Sequence, residues 1–213
     1  MKDAKCKICR RAGRKLFLKG EKCFSAKCPM IKKAYPPGLV KKKRGRPLSE
    51  YGKELREKQK LRNWYGLRER QFSKYAKDVL ERTRRASSTG ENPAELLIQK
   101  LETRLDNIIF RLGFAINRTQ ARQMVSHGQF LVNDKKVDIP SFTAKKGDKI
   151  SFCPKFQDKE IFKRLDVSLK KYEAPVWLKL DKKKVDGEVI GLPTLEEASP
   201  PAEISSIFEF YSR

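Results

Sequence analysis

The chain has 213 residues, with 50 lysines and arginines against 26 acids, one histidine and a formal net charge of +24. That length allows one or two modest domains with real cores. The composition excludes several classes. No apolar run approaches the roughly 18 residues of a membrane span, and the start Met1-Lys2-Asp3-Ala4-Lys5-Cys6 lacks the apolar stretch of a secretory signal. A single histidine leaves little material for acid–base chemistry near neutral pH. A charge this large repels itself unless a polyanion is the usual neighbour.

The charge falls along the chain: +14 over residues 1–50, +6 over 51–100, +4 over 101–160 and zero over 161–213. The amino-terminal quarter is therefore expected to meet the polyanion most closely.

Residues 1–47 hold four of the five cysteines and few apolar side chains, among them Leu16, Phe17, Phe24 and Ile31. They cannot close a core alone. The segment ends in Tyr35-Pro36-Pro37-Gly38 and the basic run Lys41, Lys42, Lys43, Arg44, Arg46. From Ser49 the chain reads as helix, rich in Leu, Glu, Lys, Arg and Gln, with Leu55 and Leu61 among many charges. Gly66 punctuates it, and a second helix is predicted from Leu67 to about Arg85 on the spacing of Phe72, Tyr75, Ala76, Val79 and Leu80. Residues 87–90 read as a loop.

Asn92-Pro93-Ala94-Glu95 predicts a helix start, with a capping residue and proline at the first helical position. Thr103-Arg104-Leu105-Asp106 looks like a second capping box. A third short helix is expected between Thr119 and Gly128. The period then changes to two. Phe130–Asn133 and Lys136–Ile139 flank the turn residues Asn133-Asp134, and Lys149–Phe152 alternates as another strand. Trp177–Leu180 and Glu188–Ile190 bracket a turn at Asp186-Gly187. Prolines at 193, 200 and 201 precede an apolar finish, Ile204–Tyr211, which needs a surface to pack on; the helices of 49–85 would supply it.

Cys6 and Cys9 are separated by two residues, Cys23 and Cys28 by four, and the pairs by thirteen. Two close cysteine pairs on a short loop can wrap one tetrahedral ion. A structural Zn2+ held by all four would also supply folding energy that this core-poor segment lacks. The alternatives are an iron–sulfur cluster on the same four thiolates, which spacing alone does not exclude, and a redox disulfide. Cys153 stands apart and reads as an ordinary half-buried residue.

The residues Tyr51-Gly52, Leu55-Arg56-Glu57-Lys58-Gln59-Lys60-Leu61-Arg62, Tyr65-Gly66 and Glu69-Arg70-Gln71-Phe72 resemble the bacterial small-subunit ribosomal protein S-four family. So do Arg104-Leu105-Asp106-Asn107, Phe110–Phe114, Arg118–Gln123, His127-Gly128 and Val132-Asn133, which are similar to the RNA-binding module named after that family. The ending Glu209–Arg213 is similar too, and the four amino-terminal cysteines match the family's zinc-bearing type. The resemblance covers essentially the whole chain. It implies a structural constituent of the small ribosomal subunit that binds the 5′ domain of 16S ribosomal RNA, nucleates assembly and contributes to translational accuracy. It implies neighbouring ribosomal proteins near the channel by which messenger RNA enters, and a cytoplasmic location, with no membrane or small-molecule substrate.

The expected architecture is α+β: a zinc-binding basic arm (1–46), a mainly helical discontinuous body (47–95 and 164–213), and an inserted α+β RNA-binding module (96–163). Candidate RNA contacts in the arm are Arg10, Arg11, Arg14, Lys41, Lys42, Lys43, Arg44 and Arg46, and in the body Lys53, Arg56, Lys58, Arg62 and Arg70. In the module they are Arg104, Arg111, Arg118, Thr119, Gln120, Arg122, Gln123 and His127. The arginines offer forked phosphate contacts, and the helix start near Thr119 offers backbone N–H groups. Phe114 and Phe130 fit core packing better than base stacking.

Two other functions compete. Arg104-Leu105-Asp106 echoes the Arg-Leu-Asp of a pseudouridine synthase active site, but it opens a helix inside the module, where Asp106 reads as a cap, and no catalytic domain remains. Arg44-Gly45-Arg46-Pro47 matches the core of a minor-groove DNA hook, a short match in a very basic chain.

Overall fold

The computed structural model describes residues 5–38, 47–85, 92–156, 165, 169, 172–182 and 184–212. The basic run at Lys41, Lys42, Lys43, Arg44 and Arg46, and the loop expected at 87–90, lie outside the described residues. The chain divides into two compact units, one of residues 1–94 with 200–213 and one of residues 95–199.

In the first unit the helix signals hold. Ser49 caps α4 (Glu50–Trp64), its hydroxyl accepting from the Gly52 N–H at 3.3 Å. Gly66, at φ 64°, turns the chain into α5 (Glu69–Arg85), which buries Phe72, Ala76 and Val79. The carboxy-terminal helix, Ile204–Ser212 (α10 in chain order), buries Ile204, Ile207 and Phe208 and packs on α4 and α5, the surface the apolar finish requires. The amino-terminal segment forms three short helices, α1 (Lys5–Ala12), α2 (Glu21–Phe24) and α3 (Pro29–Lys32). It belongs to this same unit: α1 touches α4, and Arg14 Nη1 donates to the Pro201 carbonyl at 2.9 Å.

The second unit runs α6 (Pro93–Glu102), α7 (Leu105–Arg111), α8 (Arg118–Ser126), β1 (Phe130–Val132), β2 (Lys135–Lys136), β3 (Lys149–Phe152), a 3-10 turn, β4 (Leu178–Asp181), β5 (Asp186–Val189) and α9 (Leu195–Ala198). The sheet is antiparallel, in the order β2-β1-β3-β5-β4. Asn133 and Asp134, at φ 49° and 64°, make the two-residue β1–β2 turn, a conformation these residue types tolerate. Helices and sheet close on Leu105, Ile108, Ile109, Leu112, Phe130 and Phe152. Phe114 and Phe130 are fully buried and stack on each other, so both are core residues. The α+β class holds.

Three expectations are corrected. The sequence places 164–213 in the helical body, but within that segment β5 pairs with β3 (Lys149↔Glu188, Ile150↔Gly187), and Leu165, Leu169 and Trp177 enter the second core. Only the last residues return to the first unit. The strand expected over Lys136–Ile139 forms at Lys135–Lys136 alone. The chain beyond it turns instead to the start of α7, where the N–H groups of Leu105 and Asp106 donate to the carbonyls of Phe142 (2.8 Å) and Pro140 (3.2 Å). Those carbonyls replace the Thr103 capping box; the Thr103 hydroxyl donates back to the Gln99 carbonyl at 2.7 Å.

Candidate nucleic-acid interface and cysteine cluster

Cys6 and Cys9 sit three residues apart on α1, and so on one helix face. Cys23 lies on α2, and Cys28 is the residue before α3. The turns between bring all four to one small pocket, shared with Leu18, Lys19 and Met30. Cys9, Cys23 and Cys28 are buried and Cys6 is half-buried. The Lys19 N–H donates to Cys23 Sγ at 3.4 Å. Burial pushes the Cys9 thiol up; the Leu16 backbone pulls it down, and the sulfurs of Cys23, Cys6 and Cys28 push it further up. None of the five cysteines is in a disulfide. Among the described residues, no group of three or more Cys, His, Asp or Glu side chains is arranged as it stands to hold a metal ion. The donor chemistry nevertheless suits a soft tetrahedral ion: four sulfurs, one pocket and no competing carboxylate in its lining.

Of the arginines expected to fork onto phosphates, Arg104, Arg111 and Arg122 bind carboxylates within the module, and Arg118 binds an amide oxygen. Arg104, 3% exposed, donates through Nε and Nη2 to Asp106 at 3.0 and 2.9 Å. Asp106 also accepts from Arg122 Nε at 2.9 Å and pairs with its Nη2 at 2.7 Å. Fully buried Glu102 takes both arms of Arg111 at 2.9 and 2.8 Å, together with the Asn107 amide at 2.6 Å. Arg118 Nε donates to Asn107 Oδ1 at 2.7 Å, and its guanidinium lies 4.5 Å over the Phe110 ring. Asp106 is thus a partner of two arginines and not a helix cap. Arg104 is buried, and the side chains of Arg111 and Arg118 are 17% and 10% exposed. Arg122, 32% exposed in its side chain, reaches the surface.

A second clamp in the first unit engages two of the candidate contacts, Lys58 and Arg62. Lys58, 6% exposed, donates to Glu69 Oε1 at 2.6 Å, and its ammonium sits 4.2 Å from the Phe210 ring centroid. Arg62 donates to the other Glu69 oxygen at 3.0 Å, and the Tyr211 hydroxyl to Oε1 at 2.9 Å. Burial pushes the Glu69 carboxyl up, but bonds from Lys58, Tyr211 and Arg62 outweigh it and hold the group below the usual carboxylate range. Burial and the same carboxylate push the Tyr211 phenol well up.

The remaining candidates face outward. Arg11, Arg14, Lys53, Arg56 and Arg70 are exposed, whereas Arg10 is half-covered, donating to the Tyr35 carbonyl at 2.8 Å. On α8, Thr119, Gln123 and the flanking His127 are exposed. At its start Asn117 Oδ1 accepts the Gln120 N–H at 3.0 Å, and the Gln120 side chain accepts from Ile116 N at 3.1 Å.

Sequence reasoning passed over Lys74, Lys77 and Arg84, which continue from Arg70 along one face of α5 at helical spacing, opposite Phe72, Ala76 and Val79 and interrupted by Glu81. That spacing was readable. It also passed over Lys136, whose chain lies across Gly128 at the end of α8; no local signal foretells this, because the hairpin brings it there.

The two units and these faces define a class: a small basic α+β protein that turns acids inward as braces and leaves lysine and arginine rows outside. Residues 1–98 match the model of the ribosomal protein S4/S9 N-terminal domain, and residues 103–150 match the S4 domain. The chain is 47% identical over 209 residues to small ribosomal subunit protein uS4 of Thermoanaerobacter sp. (strain X514), covering 98% of this chain and 96% of that one. It is 44% identical over 208 residues to the uS4 protein of Thermodesulfovibrio yellowstonii, with the same coverage. The chain belongs to the ribosomal protein uS4 family.

Proposed function

We propose that the chain is a structural constituent of the small ribosomal subunit, not an enzyme, and a primary binder of ribosomal RNA. It engages the 5′ domain of 16S ribosomal RNA, nucleates assembly of the subunit and contributes to translational accuracy. Its other partners are small-subunit proteins near the channel by which messenger RNA enters, and it works in the cytoplasm within the subunit. The observation that carries this is the sorting of charge. Glu102 and Asp106 are buried and Glu69 is half-buried, holding arginines and a lysine, while Arg70, Lys74 and Lys77, and around α8 His127 and Lys136, face solvent. Such faces suit RNA helices, which are read through phosphates, 2′-hydroxyls and shape.

Within the family we assign the chain to the zinc-bearing type, with one structural Zn2+ on Cys6, Cys9, Cys23 and Cys28. The shared pocket of the four thiols supports it. Bound there, the ion supplies cross-linking energy to a segment with little else to bury.

Footprinting of the full chain on small-subunit ribosomal RNA tests the main proposal. Protection is expected in the 5′ domain, with affinity falling about 10³–10⁵-fold between 50 and 200 mM salt for 6–10 phosphate contacts. A salt-independent footprint, or none, overturns it.

A further inference from the structure

The cysteine-bearing segment holds a feature that neither the metal nor charge explains. Phe17 and Phe24 stack on each other, with ring centroids 5.0 Å apart and planes 27° from parallel. Both rings lie at the surface: Phe17 is 41% exposed and Phe24 is 75% exposed. Phe17 also has φ 52°, a left-handed conformation that a bulky residue rarely adopts. Leu16 before it is 1% exposed. The chain is therefore anchored inward at Leu16 and turned outward at the next residue. Cys23, buried in the sulfur pocket, fixes Phe24 from the other side. A fold indifferent to these rings has no reason to hold an aromatic in left-handed backbone with its face toward water.

The surroundings select the occupant. Residues 5–38 carry eleven lysines and arginines against the single acid Glu21, and Lys19 and Lys22, both exposed, lie between the two rings in the chain. Tyr35, the other exposed aromatic of the segment, is already covered by the Arg10 guanidinium, 4.8 Å from its centroid. Phe24 therefore offers the open aromatic face within a cationic surround, the pairing that single-stranded nucleic acid uses for stacking with phosphate neutralisation.

We infer that the Phe17–Phe24 pair is a stacking platform for an unpaired RNA base, which continues the two-ring stack on the outer face of Phe24 while Lys19 and Lys22 meet its flanking phosphates. This rests on the RNA-binding function proposed above and adds a base contact to an interface otherwise made of charge.

The test uses the full chain and full-length small-subunit ribosomal RNA. Phe24→Leu keeps the apolar character and removes the ring; Phe24→Tyr and Phe24→Trp keep a π face. Leucine is expected to weaken binding about tenfold. The slope of log affinity against log salt should not change, because no phosphate contact is lost. Tyrosine and tryptophan should restore affinity. After ultraviolet irradiation, the tryptic peptide 23–27 should carry a nucleotide adduct that Phe24→Leu removes although Cys23 remains. If wild type binds and Phe24→Leu binds equally well, the platform is overturned, and a protein neighbour becomes the occupant to seek. A changed salt slope also overturns it, since the loss would then be one of charge. If wild type fails to bind, it is the RNA-binding function itself that fails.

Discussion

Glu102 has no exposed surface, yet it receives both arms of the Arg111 guanidinium at 2.9 and 2.8 Å. The bond joins the last residue of α6 to the last of α7, and Asn107 adds a third donor. Removing one partner from a buried pair leaves an uncompensated charge, which costs more than the pair contributes. Glu102→Gln is expected to destabilise the protein by about 3–5 kcal/mol, read as a lower urea midpoint.

Arg104 and Arg70 are both arginines in the family-like motifs, but they should behave differently. Arg104→Gln breaks a sealed pair with Asp106 and should lower the unfolding midpoint while leaving the salt slope of RNA binding alone. Arg70, Lys74 and Lys77 are exposed on one helix face, so each change to Gln should lower that slope by about one. Filter binding across a salt series separates the two behaviours. Equal slopes for wild type and the triple variant would remove α5 from the interface.

The Glu69 clamp predicts an acid limb of stability. Its folded carboxyl titrates below the ordinary glutamate value of about 4.3. The contribution is therefore present above that value and lost as pH falls through the lower folded one. Glu69→Gln should flatten this limb of the stability profile, measured by thermal unfolding between about pH 3 and 6. Tyr211→Phe, which removes one donor, should shift the limb toward higher pH.

For the cysteine pocket, Cys9→Ser and Cys23→Ser are each expected to abolish stoichiometric zinc in purified protein and to increase proteolysis within residues 5–38. Cys153→Ser should change neither, because it lies in the other unit. Iron, or no metal, in the wild-type protein would end the zinc assignment.

A side chain on Gly187 would meet Leu112 Cδ2 at 2.8 Å in a fully buried setting. Gly187→Ala should cost about 1–3 kcal/mol by overpacking, again read from urea unfolding. No loss would mean that β5 does not lie against α7.

Much of this molecule was legible from local pattern. Ser49 as a cap, the apolar spacing of Phe72, Ala76 and Val79, the Asn133-Asp134 turn and the amphipathic finish depend on neighbours within a few residues, so the chain declares them. The two cysteine pairs were visible for the same reason. The fate of the charges was not: arginines at 70, 104 and 111 look alike as letters. Only packing decided that Arg104 and Arg111 would meet buried acids and Arg70 would face water, because a guanidinium's role depends on whether a carboxylate is buried beside it, as Asp106 is beside Arg104 and Glu102, from the preceding helix, is beside Arg111.

The +24 charge, its fall along the chain and the family motifs were determined by sequence alone, since composition and short-range order need no fold to exist. Tertiary structure decided which acids became internal braces. It also decided that β4 and β5 join the module's sheet, and that the Pro140 and Phe142 carbonyls cap α7. The strand pairings and the α7 cap join residues far apart in the chain. The acid braces join near neighbours, whose side chains meet only once α6, α7 and α8 are packed. Their partners are chosen by which backbone groups and charges remain unsatisfied once the core has closed, and no local pattern records that.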